Sequence, residues 1–93
     1  MAKIKWSVPA EIDVITIDDF YRGDNPDIAD RTSTDIVSSA RFLAQHPRIG
    51  ATVEGTSYRK WRVSKSPYIL LYRPILNGVE ILRIRHMRED WKP

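Results

Sequence analysis

The side chains best suited to chemistry lie late in the chain: Arg59, Arg62, Arg83, Arg85 and Arg88, with His86 and Trp91 among them. A guanidinium stays charged at any physiological pH and grips carboxylates or phosphates through two parallel hydrogen bonds. Several in one region make a docking surface for an acidic partner. These seven residues form the candidate partner- or target-binding set. Arg83 has two readings, a ligand contact or an internal ion pair or cation–π contact. Arg59 and Arg62 also read as a solvated strand edge. Trp91 is either an interface anchor, since tryptophan and arginine dominate hot spots, or a ring folded back onto the sheet.

Carriers for proton chemistry are few. His46 and His86 are the only histidines, and neither has a second metal-type residue at helical or hairpin spacing. A zinc site is therefore not expected. With no cysteine there is no thiolate site and no disulfide. No metal, no cofactor and no catalytic set is assigned. His86 is the one acid–base candidate, although a lone histidine at a strand end is more often structural.

The formal net charge of +3 conceals a split. Residues 1–46 carry five Lys/Arg against eight Asp/Glu, a balance of −3, and residues 47–93 carry ten against four, a balance of +6. The second half thus suits an acidic partner; an unevenly charged but merely solvated surface is the alternative. Ninety-three residues suffice for one domain, spanning 1–93. A core this small gains from a partner that covers apolar surface. The opening residues lack the apolar stretch of a secretion signal, and the run Tyr68–Tyr72 is too short to span a bilayer. A cytoplasmic protein with no membrane contact is expected.

The elements that must position these residues follow from periodicity. Lys3–Trp6 alternates charged and apolar residues, as a half-buried strand does. Ser7 caps a helix that tolerates Pro9 in its first turn. Ala10, Val14, Ile17 and Tyr21 form its apolar stripe, and Ile12, Ile15 and Phe20 widen that stripe into a well-buried helix. Asn25-Pro26 opens a second helix with Ala29, Ser33, Ile36, Ala40 and Leu43 facing inward, and His46-Pro47 closes it. Strands follow at Tyr58–Val63, Tyr68–Ile75 and Val79–His86, with a short piece near Thr52–Val53. The fold class is α+β: an N-terminal strand and an antiparallel two-helix hairpin packed on a C-terminal, mainly antiparallel sheet of three to five strands. Val79–His86, apolar on both sides, belongs inside that sheet. Trp6, Trp61, Tyr68 and Tyr72 read as core.

Asn77-Gly78 signals a type I′ hairpin turn. With Leu76 paired to Val79, Tyr72 faces Arg83 and Leu70 faces Arg85. The face holding Val79 and Ile81 then becomes basic at Arg83 and Arg85. Arg59, Arg83, Arg85 and Arg88 converge on an acidic partner.

Particular residues in this order of elements are distinctive. They are Trp6-Ser7 followed by Ala10, Asp13, Val14 and Tyr21; Asn25-Pro26 with Ala29, Ile36 and Leu43, leading to His46-Pro47-Arg48-Ile49-Gly50; the strands Tyr58–Val63 and Pro67–Arg73; and the closing Ile81–Trp91 with its His-x-Arg-x-x-Trp ending. Together they resemble ParE-type toxins of the RelE/ParE superfamily along essentially the whole chain. The resemblance implies the toxin of a type II toxin–antitoxin pair, silenced by a ParD-like antitoxin in a hetero-oligomer. It implies growth arrest, plasmid stabilisation and DNA gyrase as the target, without catalysis. The antitoxin is expected in the groove between helices and sheet. The alternative from the same superfamily is a RelE-like, ribosome-dependent mRNA endoribonuclease. Ile69 stands where that branch places an arginine, and the ending at Pro93 leaves out the residues where it often keeps a tyrosine. A small basic nucleic-acid-binding module is the third reading.

Overall fold

The computed structural model describes residues 2–88. Ser7 starts helix α1 (Val8–Arg22), its hydroxyl accepting the Ala10 N–H at 3.1 Å. Asn25 starts α2 (Pro26–Gln45), its side chain accepting from Ile28. Proline lies in the first turn of both helices, where its missing N–H costs nothing. The helices form the expected hairpin on one face of a five-stranded sheet of order β1-β5-β4-β3-β2. The strands are β1 (Lys3–Trp6), β2 (Ala51–Thr52), β3 (Arg59–Arg62), β4 (Tyr68–Ile75) and β5 (Gly78–His86). β1 runs parallel to β5 and every other pair is antiparallel. β5 thus lies inside the sheet, as its apolar sequence requires.

The core lies between the layers. Ala10 and Ile17 of α1 and Ile36, Ala40 and Leu43 of α2 meet Val63, Leu70, Tyr72, Val79, Ile81 and Ile84 of the sheet region. Trp6 and Trp61 pack against this cluster half-buried. The wider stripe expected on α1 is not there: Ile12, Ile15 and Phe20 are 56%, 60% and 73% exposed. At 100° per residue, Ile12 and Ile15 fall nearly opposite Ala10 and Ile17, and a two-layer fold buries only one face of a helix.

The hairpin between β4 and β5 also departs from expectation. Ile75 pairs with Gly78, so Leu76 and Asn77 form the turn. Only Asn77 has positive φ, at 64°, whereas type I′ requires it at both central positions. Gly78 has a different task. A Cβ there would stand 1.8 Å from the Lys3 carbonyl oxygen, because β1 passes directly beside it. Glycine permits the parallel pairing rather than the turn.

Candidate docking surface

A β-bulge decides which face the late arginines occupy. β4 and β5 pair Tyr72 with Ile81 but Leu71 with Arg83, leaving Leu82 as the extra residue. Ahead of the bulge, Val79 and Ile81 point into the core; beyond it the alternation has slipped by one and Ile84 is buried instead. Arg83 and Arg85 therefore register beside Leu71 and Ile69, on the face away from the helices. The expected register, with Arg83 facing Tyr72 and Arg85 facing Leu70, fails because the turn at Leu76 and Asn77 shifts the pairing by two residues and the bulge takes back one. So does the expectation that the face of Val79 and Ile81 turns basic.

Helix α1 secures the bulge. Ser7 donates its N–H to Ile81 O at 3.0 Å and its hydroxyl to Leu82 O at 2.8 Å. Beyond the end of β1, the edge of β5 is met by Asp13, whose Oδ2 accepts the Ile84 N–H at 2.9 Å. The same carboxylate takes both prongs of Arg83, at 2.7 and 3.0 Å. Arg83 thus makes an internal ion pair, with Asp13 well shielded and the guanidinium partly open.

Three rows cross the open face. Arg62, Ile69 and Arg85 form one, Lys60, Leu71 and Arg83 the next, and Arg73, Glu80 and Lys5 the third. Arg73 and Glu80 are 2.7 Å apart, with Lys5 at 4.0 Å from the same carboxylate. Lys60 and Arg62 are exposed, and Arg62 donates to Ser66 O at 3.1 Å. Strands are spaced about 4.8 Å apart, so the cations of β3 and β5 stand roughly 10 Å apart across an apolar column of Ile69 and Leu71. No described element covers this face. Within β1, β3, β4 and β5, its ionisable groups are lysines, arginines and Glu80.

The other candidates are placed elsewhere. Arg59 pairs with Tyr72 on the opposite face, and its Nη1 donates to the carbonyls of Arg48 and Gly50 at 2.9 and 2.8 Å. It does not converge with Arg83 and Arg85. His86 pairs with Tyr68, its ring edge-on at 5.5 Å, and its Nδ1 accepts the Arg88 N–H at 3.2 Å. Arg88 lies in the turn that ends β5. Trp91 lies outside the described residues. Lys60 and Arg73 were missed, although period-two alternation puts Lys60, not Arg59, on the same face as Arg62.

Beside Arg59, the loop leaving α2 is held by Tyr72. This fully buried residue accepts the Gly50 N–H at 2.9 Å and donates to Pro47 O at 2.8 Å. Burial pushes its phenol above the ordinary value of 10.0, against the opposing effects of the Gly50 hydrogen bond and the Arg59 charge. A Cβ on Gly50 would lie 2.6 Å from the Tyr72 hydroxyl, so only glycine fits. On the helix side, a groove of about 330 Å³ runs between α2 and β3, lined by Asp35, Ser38, Ser39, Phe42, Trp61 and Ser64. Phe42 and Trp61 stack at 5.5 Å as its apolar wall.

The overall fold is shared with a known protein. The family model for the ParE toxin of the type II toxin–antitoxin system parDE matches residues 4–91. The chain belongs to the ParE toxin family. A chain of the solved chromosomal ParDE toxin–antitoxin system from P. aeruginosa has 27% sequence identity and a TM-score of 0.80, covering 92% of this chain and 96% of that one. No curated protein matches the sequence. The ParE fold expected from the resemblance is the fold observed. No helix among the described residues is long and apolar enough to cross a membrane.

Proposed function

We propose that this ParE-family toxin arrests growth by binding a target protein, DNA gyrase, through the open cationic face of its sheet. A ParD-like antitoxin silences it in a cytoplasmic hetero-oligomer. The observation that carries this reading is the composition of the face: positive charges around an apolar strip, with no histidine, tyrosine or cysteine among its strand residues. Such a surface binds; it does not move protons. His86, the acid–base candidate of the sequence, is engaged with Tyr68 and the Arg88 N–H instead. The docking set comprises Lys60, Arg62, Arg83, Arg85 and Arg88, with Trp91 included as a hot-spot residue type. Arg59 and His86 serve the scaffold. The antitoxin occupies the groove of Phe42 and Trp61, where an apolar side chain would find an aromatic wall.

Induction in cells tests this. DNA-damage signalling with intact messenger RNA is the expected outcome. Rapid, codon-phased cleavage of messenger RNA would replace the reading with a RelE-like ribonuclease.

A further inference from the structure

The open face of the sheet has a complement on the same molecule. Val8, Ile12 and Ile15 follow at i, i+4 and i+7 along the outer side of α1, exposed by 68%, 56% and 60%. Glu11 borders this stripe on one side, and Asp19 lies in line with it one turn further on. The helix thus presents an apolar ridge with an acid on one flank and another at its far end. The sheet presents an apolar column, Ile69 and Leu71, between cationic margins, Lys60 and Arg62 on one side and Arg83 and Arg85 on the other. The margins stand about 10 Å apart, which matches the roughly 10–12 Å diameter of a helix with its side chains. No described element covers either surface.

We infer that α1 of one copy docks on the open sheet face of another, with Ile12 and Ile15 over Ile69 and Leu71 and the acids of α1 against Lys60 and Arg62. The division of the chain into halves of opposite net charge favours this partner. The contact joins two different surfaces, so each docked copy still offers one of each, and association proceeds by addition rather than stopping at a symmetric dimer. A single helix on a three-strand strip buries far less than the roughly 1,200 Å² of a stable complex, so the association is weak and reversible. Its charges are exposed, so it weakens with salt. Docking hides the face assigned above to the target, and self-association therefore competes with target binding. The inference does not depend on which protein that target is.

Sedimentation of the full chain without antitoxin tests it, in low salt (about 50 mM) and in high salt (about 500 mM), where screening lengths differ about threefold. The average mass should rise past that of a dimer with concentration in low salt and fall back to the monomer in high salt. Ile12→Lys with Ile15→Lys blocks the helix surface, and Lys60→Glu with Arg62→Glu blocks the sheet surface. Each double variant alone should be monomeric. Mixed in equal amounts they should form a one-to-one dimer and nothing larger, because each supplies the surface the other lacks. If lysines unfold α1, judged by circular dichroism, Ile12→Ser with Ile15→Ser replaces that variant. A wild type that stays monomeric in low salt overturns the inference. So does a sheet variant that still associates alone, which would mean symmetric pairing through α1, and so does a mixture that gives no dimer.

Discussion

Tyr72 offers the most demanding test of how the scaffold is held. Its ring is fully buried in β4, and its hydroxyl makes two hydrogen bonds to the loop leaving α2, with Gly50 N and Pro47 O at 2.9 and 2.8 Å. Tyr72→Phe keeps the ring and removes only the oxygen. Two bonds worth about 1 kcal/mol each are lost, and buried groups left unpaired cost about 1–3 kcal/mol, so the loss should total about 2–4 kcal/mol. A 93-residue domain has only about 5–14 kcal/mol to lose. The thermal midpoint should fall by about 10–25 °C. Urea denaturation is the assay: the midpoint should drop while the slope stays unchanged, because the surface exposed on unfolding is the same. Tyr21→Phe is the control. It removes one partly buried hydroxyl contact, to Tyr68 at 3.2 Å, and should cost about 1 kcal/mol or less. A Tyr72→Phe protein within about 0.5 kcal/mol of wild type would refute the reasoning.

Three further outcomes follow from the same structure. Burial raises the Tyr72 phenol above 10.0, so the folded state keeps a proton that the unfolded chain releases; stability from this source is complete below pH 10 and falls as pH rises above it. Wild type should therefore lose more stability above pH 10 than Tyr72→Phe does, as read by urea midpoints across that range. Gly78→Ala should cost at least about 3 kcal/mol or prevent folding, because the new methyl meets the Lys3 backbone; loss of the β1–β5 pairing would appear as fast amide exchange in Lys5. Ile17→Ala should cost about 2–4 kcal/mol, whereas Ile12→Ser should stay within about 0.5 kcal/mol, which thermal denaturation separates directly.

Much of the fold was legible because local chemistry and tertiary packing agree. Ser7 and Asn25-Pro26 start their helices, and the inward stripe from Ala29 to Leu43 is buried where its spacing puts it, apart from the half-buried Ser33. The strands β4 and β5 fall within one residue of their expected bounds. The site was less legible, for two physical reasons. Alternation alone separates Arg59 from Arg62, but the cluster of basic residues drew both into one set. The bulge at Leu82 is invisible to periodicity, since it depends on Ser7 and Asp13 reaching the edge of β5 from another element. One inserted residue moves every side chain beyond it to the opposite face. The apolar residues of α1 show a related limit: sequence reports that Ile12 and Ile15 are hydrophobic, but only the number of layers tells whether anything covers them.

Binding of the purified chain to purified DNA gyrase, compared with a Lys60→Glu, Arg62→Glu, Arg85→Glu variant of unchanged thermal midpoint, bears most directly on the open face as the toxin's working surface. Wild type should bind, with affinity falling as salt rises, and the variant should bind at least about tenfold more weakly. A variant that binds as tightly as wild type, or a wild type that does not bind gyrase at all, would contradict it.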